Sequence, residues 1–306
     1  MDIEIIGTES LGVRGLCGMV AISDRKILID PGLALGYRRG GRLPHPVQVA
    51  AGEDTREAIV RHLSTATDVV FSHFHGDHMP LLKANPFQLS ETLVEPFLRR
   101  PRLWMKNGGD DSARIESRRT RLLEKIGRTA PACDGRVSGP LAFSEAMPHG
   151  RKSLGMGSVM MTRLEEGREV FVHASDIQLL DDEPVAKILD WGPTIVLVSG
   201  PPIYRDNRRS VAAEARRRVQ RIAESVETCV IDHHLLRCRK GVRWLDELRA
   251  DTGGKVMCAA DFMGRSRRFL EADRAELYER FPVPEGWHAR YGRGEADTTA
   301  FRGRDV

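Results

Sequence analysis

Three histidines and an aspartate lie within six residues, at His73, His75, Asp77 and His78, in the pattern H-x-H-x-D-H. Imidazole nitrogens and carboxylate oxygens are ligands that zinc and its first-row neighbours accept. On an extended backbone His73, His75 and Asp77 point to one side, and Gly76 allows the bend that would bring His78 to a second ion. Since the chain has only ten histidines, the pattern indicates a metal site rather than a histidine-rich surface loop.

Three later apolar runs also end at a histidine or an aspartate. The runs and the residues that follow them are 143–147 with His149, 169–175 with Asp176, and 229–231 with His233 and His234. A single histidine or aspartate after a strand is more often a cap or a surface residue than a ligand. Strands of one sheet can bring their terminal residues to a common rim, however, so we expect these side chains to join the motif.

The motif and five further stretches resemble the metallo-β-lactamase superfamily of metallohydrolases, and within it a mainly archaeal branch, UPF0282. The further stretches are residues 10–14, 29–32, 148–150, 175–176 and 232–237. The resemblance covers nearly the whole chain. It implies an α/β protein with the metallo-β-lactamase fold, a four-layer αββα sandwich with metal ligands at one end of two facing sheets. It does not imply a substrate, because this fold hosts many reactions.

The resemblance also implies ligands for two ions, with one aspartate bridging them. The expected ligands are His73, His75 and His149 for one ion, Asp77, His78 and His233 for the other, and Asp176 as the bridge. Asp30 follows a predicted strand and would hydrogen-bond a ligand histidine, which fixes the imidazole tautomer. The alternative is that Asp30-Pro31-Gly32 is only a turn.

The adjacent histidines His233 and His234 need separate roles, since neighbours on an extended chain point to opposite sides. We predict that His233 is the ligand, because it stands closer to the end of the strand. His234 would then be free to hydrogen-bond the substrate or to donate a proton to the leaving group. Asp77 and His234 are the predicted catalytic residues.

Two divalent cations can bridge a water molecule and lower its pKa towards neutrality, which yields a hydroxide poised for attack. We therefore predict a dinuclear metal-dependent hydrolase of an ester, thioester, lactone or phosphoester bond. Zinc is the expected metal, and iron or manganese would also suit this ligand set. A redox role is disfavoured, because flavodiiron relatives usually carry a glutamate where His75 stands.

The main alternative is a nuclease that processes RNA or DNA with the same metals. Arg237 follows His233 by four residues, as in related nucleases. The segment between Asp176 and His233, however, has room for one strand-helix-strand unit and not for the cap domain of one nuclease branch. A binding protein without catalysis is disfavoured, because every expected ligand type is present.

The composition is that of an ordinary globular protein, with 306 residues, 41% apolar residues and a net charge of +4. We expect one domain, a cytoplasmic location, no signal peptide and no membrane segment. The five scattered cysteines are predicted to be reduced thiols. A small-molecule substrate is the expected partner, since the charge is too small to indicate nucleic acid by itself. The sequence predicts no oligomeric state.

Hydrophobic patterning predicts a hairpin-rich start, a loop over 33–54, a helix over 55–64 and a buried strand over 68–72. Residues 79–139 are predicted as a helical insertion, with helices over 87–98 and 113–126. A strand-helix-strand unit follows over 194–231, then helices over 244–251 and 265–281, and a weakly ordered tail over 282–306. In the first loop, His45 would reach the substrate or be solvated, and Arg14 before it would bind an anionic group.

Overall fold

Two β-sheets pack face to face between two layers of helices in the computed structural model, which describes residues 1–108, 112–155, 157–205 and 210–304. The first sheet has five strands in chain order, with β1, β2 and β3 antiparallel and β3, β4 and β5 parallel. These strands are β1 (Asp2–Gly7), β2 (Cys17–Ile22), β3 (Arg25–Ile29), β4 (Asp68–Phe71) and β5 (Arg102–Met105).

The second sheet has seven strands in the order β14-β13-β12-β11-β10-β7-β6, and its β11, β12, β13 and β14 run parallel. These strands are β6 (Val137–Ser138), β7 (Leu141–Phe143), β10 (Thr162–Glu166), β11 (Glu169–His173), β12 (Ile195–Val198), β13 (Thr228–Ile231) and β14 (Val256–Met257). A separate two-stranded hairpin joins β8 (Met147–Pro148) to β9 (Ser158–Val159).

Helices cover the outer face of each sheet. They are α1 (Pro46–Leu63), α2 (Glu91–Leu98), α3 (Ala113–Ile126), α4 (Asp182–Asp190), α5 (Ser210–Ser225), α6 (Arg239–Asp251), α7 (Ala259–Phe262), α8 (Arg274–Arg280) and α9 (Trp287–Gly292). The first three pack with α8 and α9 on the first sheet, whereas α4, α5 and α6 pack on the second. Within the residues that the structure covers, no helix is both long enough and apolar enough to cross a bilayer.

Alternate residues of the strands fill different cores. In β4, Val69 and Phe71 face the first helical layer, whereas Val70 faces the second sheet. In β12, Val196 faces the second helical layer and Leu197 faces the first sheet. Both faces of these strands are therefore buried, which explains why they read as continuous apolar runs in the sequence. The predicted four-layer αββα sandwich is confirmed.

The segment between β3 and α3 differs from the predicted elements. Helix α1 begins at Pro46, inside the predicted loop, because proline suits the first turn and the His45 side chain accepts a hydrogen bond from Val47 N. The segment predicted as a helical insertion also supplies β5, which pairs with β4. A four-residue strand directly after Pro101 gives too short a pattern to recognise from sequence.

The last part of the chain is packed on the first helical layer. Trp287 and Phe301 are buried, and His45 Nε2 lies 2.8 Å from the Phe281 carbonyl oxygen. The expectation of a weakly ordered tail does not match this packing, since the two buried aromatic side chains Trp287 and Phe301 hold the segment against the core. The helix predicted over 265–281 is reduced to α8, because Arg268 N donates to Ser10 O at 2.8 Å instead of to a helical carbonyl.

Candidate metal centre

The carboxyl ends of strands from both sheets meet at one rim, and the predicted site residues lie there. Asp30 follows β3, and the H-x-H-x-D-H motif follows β4 one residue later. On the facing sheet Asp176 follows β11 and His233 follows β13, while His149 follows the hairpin strand β8. Strands β3 and β4 are parallel, and so are β11, β12 and β13. The carboxyl ends of the strands in each set therefore lie at the same edge.

The turns at this rim use strained backbone conformations. Asp30, Ser175 and His233 have φ values of 48°, 49° and 42°. Residues with a side chain adopt this left-handed region at a cost of roughly 1–3 kcal/mol, and such residues concentrate at functional sites. Each of the three turns the chain sharply at a strand end, so that a side chain is directed across the rim.

One group of potential ligands consists of His73, His75, His149 and Asp176, whose donor atoms all lie within 4.8 Å of one another. His73 Nε2 lies 3.0 Å from His75 Nδ1 and 3.5 Å from Asp176 Oδ2. His149 Nε2 lies 3.3 Å from the same carboxylate oxygen. These are the residues that the resemblance implied for one ion, with Asp176 at their centre.

A second group consists of Asp77, His78 and His233, again with donor atoms within 4.8 Å of one another. His233 Nε2 lies 3.5 Å from Asp77 Oδ2 and 3.5 Å from Asp176 Oδ1. His78 Nε2 lies 3.2 Å from Asp176 Oδ1. The two oxygens of Asp176 therefore face different histidine groups.

This spacing fits a metal centre better than a hydrogen-bond network. Ligands about 2.0–2.1 Å from a tetrahedral zinc ion lie about 3.3–3.4 Å from one another. The five distances between histidine nitrogens and Asp176 oxygens are close to this, at 3.2–3.5 Å. Among the described residues, His78 Nε2, His149 Nε2 and Asp176 Oδ1 are buried without a hydrogen-bond partner. Buried polar atoms are normally satisfied, so orphaned atoms clustered around Asp176 suit bound cations.

Asp30 lies behind the metal motif and accepts four hydrogen bonds there, one of them from the motif itself. Its carboxylate accepts hydrogen bonds from Ser72 N at 2.8 Å, Ser72 Oγ at 2.6 Å and Ser175 Oγ at 2.9 Å. His78 Nδ1 donates to it at 3.0 Å, which leaves His78 Nε2 directed at Asp176. Asp30 is thus more than part of a turn, and it fixes the tautomer of His78.

Ser72 orients a second histidine in the same way. Because its hydroxyl donates to Asp30, it accepts from His73 Nδ1 at 2.9 Å and leaves His73 Nε2 with a free lone pair. Sequence reasoning missed this role of Ser72. A serine after a strand carries no signal of its own, and the contact depends on the approach of β3 to β4.

His233 and His234 face different sides of the centre. His233 lies with Asp77 and His78, whereas His234 Nε2 lies 3.5 Å from Asp176 Oδ2 and its ring stacks on His149 at 5.5 Å. The neighbouring Asp232 fixes this turn by accepting from Thr8 Oγ1 at 2.8 Å and from His233 N at 2.8 Å. Both histidines therefore border the site, and only His233 reaches the Asp77 group.

Burial lowers the pKa of most of the clustered histidines. The pKa of His73 falls to about 3, since burial and the nearby His78 disfavour its charged form. Burial and the neighbouring His149 lower the pKa of His75 to about 4, and burial with Arg237 lowers that of His233 to about 4. These imidazoles are neutral at pH 7, the form that a metal requires.

His78 and the carboxylates behave differently. Burial disfavours the charge of His78, but Asp176 and Asp30 outweigh it and raise the pKa of His78 well above its usual value. Burial would raise the pKa of Asp176, but the surrounding imidazoles, foremost His234 and His78, hold it well below its usual range. Asp77 is likewise ionised, since His233 and His78 depress its pKa against the effect of burial. The centre thus presents negative oxygens to an incoming cation.

Arg237 is buried at the edge of the second group. Its Nε donates to Glu9 at 3.0 Å, and its Nη2 lies 3.4 Å from Asp77 Oδ2 and 2.6 Å from His233 Nε2. Glu9 was missed by sequence reasoning, because its partner is 228 residues away. Arg14 does not offer a free cation at this point, since Glu271 binds it.

Other candidate residues have structural roles. His45 caps α1 and is buried, so it neither reaches a substrate nor lies in solvent. His173 is buried and its Nε2 lies 2.8 Å from Leu16 O, as expected for a packed residue. All five cysteines are free thiols, in agreement with the prediction.

Two archaeal proteins of one family match almost the entire chain. A UPF0282 protein of Methanosarcina mazei is 48% identical over 297 residues, which cover 97% of this chain and 98% of the relative. A UPF0282 protein of Thermococcus gammatolerans is 31% identical, with 92% of this chain and 96% of the relative covered. The chain belongs to the UPF0282 family. No family model matches the sequence.

A solved structure also resembles this UPF0282 fold. CmlA, a diiron β-hydroxylase from Streptomyces venezuelae, matches with a TM-score of 0.50 and 14% identity over 84% of this chain and 52% of its own. At this identity the match shows the fold alone. The protein has the metallo-β-lactamase fold that its sequence predicted.

Proposed function

We propose that this protein is a dinuclear metal-dependent hydrolase acting on an ester, thioester, lactone or phosphoester bond. The observation that carries the proposal is the position of Asp176, whose Oδ2 faces His73 and His149 while its Oδ1 faces His78 and His233. A carboxylate with one oxygen in each ligand group is suited to bridging two ions. Bound there, two divalent ions would lower the pKa of a shared water and polarise the substrate.

The protein's own residues prepare the site for this chemistry. Asp30 and Ser72 hold the Nδ1 atoms of His78 and His73, so that their Nε2 lone pairs are directed inwards. Arg237 competes with a cation for His233 Nε2, and we expect it to keep its bonds to Glu9 and Asp77 when metal binds. His234 borders the centre without joining the Asp77 group, and we propose that it exchanges a proton with a leaving group.

Metal content tests the proposal first. After loading with zinc or manganese, and with iron because CmlA is a diiron enzyme, elemental analysis should find two ions per chain. Asp176→Ala should lower the occupancy of both positions, whereas the exposed Asp190→Asn should keep both. One ion or none in the wild-type chain would contradict the dinuclear proposal. Turnover is then screened with bis-p-nitrophenyl phosphate, nitrocefin, lactones, thioesters and RNA.

A nuclease is the second candidate, supported by the position of Arg237. Its buried guanidinium reaches the Asp77 and His233 group, so a phosphodiester at the metal position would lie close to its positive charge. Cleavage of RNA or DNA without turnover of the small esters would favour this candidate over the first.

A further inference from the structure

A cavity of about 400 Å³ lies beside the candidate metal centre. One wall is formed by residues 80–83, which directly follow the H-x-H-x-D-H motif, and another by α3. The Leu81 side chain lies against Gly76 of the motif, where an added Cβ would come within 2.7 Å of Leu81 Cδ1. The cavity and the metal motif therefore share a wall.

Four cationic side chains line this cavity. Arg114, Arg118 and Arg121 follow one another at intervals of four and three residues, which places them on one face of α3, and Lys83 lies on the opposite wall. In the part of the chain that the structure describes, the side chains of Lys83, Arg114 and Arg121 make no ion pair or hydrogen bond. Cations in a concave site without carboxylate partners attract anions.

Two neutral polar side chains of the lining, Asn85 and Gln88, also present hydrogen-bond donors. Phe87 N donates to Asn85 Oδ1 at 2.9 Å, and Asn85 N donates to Gln88 Oε1 at 3.0 Å. Since both side-chain oxygens are engaged, the amide NH₂ groups are what Asn85 and Gln88 can offer a ligand. Glu91 is the carboxylate among the lining residues, and it is buried in the wall, where burial raises its pKa.

Arg118 connects the cavity to the metal centre. Its Nη1 donates to Phe74 O at 2.9 Å, inside the motif. It is half-buried, and burial and the neighbouring Arg114 lower the pKa of its guanidinium, whereas the charge of Asp77 opposes this shift. A ligand held by Arg118 therefore lies next to the residues that face the metal position.

We propose that this cavity binds a phosphate group of the substrate other than the group that reacts. The proposal rests on the proposed hydrolase function and narrows it to substrates that carry such a phosphate. Arginine guanidinium groups bind phosphate oxygens through paired, charge-assisted hydrogen bonds, and the surrounding amides supply further donors. The phosphate belongs either to a nucleic acid backbone or to a small phosphorylated molecule, which share this chemistry.

Binding of inorganic phosphate to the zinc-loaded full chain, measured by calorimetry, is the first test. The double variant Arg114→Gln/Arg121→Gln should raise the dissociation constant of one phosphate-binding event. We expect about tenfold per arginine, or about a hundredfold in total. The matched control is Arg217→Gln with Arg221→Gln on the exposed side of α5, which should not change it. Unchanged binding in the cavity variant, or an equal loss in the control, would overturn the proposal. Circular dichroism checks that each variant is folded.

The Asp176→Ala chain separates this proposal from the proposed function. If the metal centre does not form, turnover is lost, but the phosphate event that depends on Arg114 and Arg121 should persist in that chain. Loss of this event together with the metals would show that the phosphate had bound to the metal centre, and would overturn the cavity proposal.

Matched substrates distinguish the two sources of phosphate. A ribodinucleotide with a 5′-phosphate is compared with the same dinucleotide without it, and a phosphorylated aryl ester with its unphosphorylated form. Wild-type protein should show a lower KM for the phosphorylated member of at least one pair, and the cavity variant should lose that preference. A preference within the dinucleotides points to nucleic acid, and one within the esters points to a small molecule. No preference in either pair would refute the proposal.

Discussion

His233 and His234 show how two identical neighbouring side chains acquire different environments. The positive φ of His233 turns the chain after β13, and Asp232 fixes the turn through His233 N. His233 then faces Asp77 and Asp176 Oδ1, whereas His234 faces Asp176 Oδ2 and the ring of His149. His233 therefore borders the ligand group of Asp77, whereas His234 borders the ligand group of His149.

Replacement of each histidine by alanine separates their roles. His233→Ala should lose one of two bound ions, because it removes a nitrogen from the Asp77 group. His234→Ala should retain both ions and lose turnover, by about 10²–10⁴-fold if its imidazole transfers a proton in the reaction. Elemental analysis and turnover are measured on the same samples. The reverse pattern would show that the two roles are exchanged.

At the scale of the elements, the turn after β3 supports the metal loop. Asp30 binds Ser72 and His78, and Gly32 lies against the backbone of the same loop. A Cβ at Gly32 would come within 2.2 Å of both His78 C and Met79 N. This close approach requires glycine, since rigid backbone atoms cannot move away from an added methyl group.

Gly32→Ala should therefore displace the loop that carries Asp77 and His78. We expect a loss of about 1–3 kcal/mol in the free energy of unfolding, as for other overpacked sites, together with weaker binding of one ion. Urea denaturation and zinc titration measure the two effects. Gly18→Ala is the control, because its nearest neighbour would lie at 3.7 Å. Equal stability of the two variants would argue against this account.

At the scale of the whole molecule, the last residues complete the helical layer on the first sheet. Trp287 and Phe301 join the same core as α1 and β4, and their rings lie 6.0 Å apart. His288 Nε2 lies 2.9 Å from Pro44 O, so the segment also contacts the start of α1. The tail is therefore part of the folded core.

Trp287→Ala should lower the free energy of unfolding by about 3–5 kcal/mol, because it empties a large buried volume. Leu93→Ala, at a position 47% exposed, should change it by no more than about 0.5 kcal/mol. Chemical denaturation of both variants gives the comparison. A small effect at Trp287 would mean that the tail is not required for stability.

At the scale of the whole centre, metal affinity should depend on pH differently in the two ligand groups. An ordinary histidine pKa of about 6.5 would predict loss of both ions below pH 6. Burial holds the pKa of His73 at about 3 and that of His75 at about 4, so these ligands stay unprotonated at pH 5.5. The pKa of His78 is raised, so a proton competes with metal there, and affinity falls as the pH decreases.

Zinc titration at pH 7.5 and 5.5 against a chromophoric chelator checks this difference. The affinity for the ion of the His73 and His75 group should fall less than that for the ion of the His78 group, which should weaken by roughly tenfold per pH unit, the effect of one competing proton. An equal loss of zinc affinity for both ions would show that the two ligand groups bind protons alike.

The sequence by itself determined the fold class and the composition of the candidate centre. The H-x-H-x-D-H motif follows β4 because an apolar run must be buried and its end must emerge at a rim. The same reasoning placed His149, Asp176 and His233 at strand ends, and the structure brings them together. These features are local, since strand periodicity fixes the direction of side chains a few residues apart.

Only the tertiary structure decided the contacts between distant segments. The bonds from His78 to Asp30, from Arg237 to Glu9 and from Thr8 to Asp232 join residues 48, 228 and 224 positions apart. The pairing of β5 with β4 and the packing of Trp287 likewise depend on the paths of long connections. Spacing along a chain fixes near neighbours, but it does not fix which segments meet once loops of this length close.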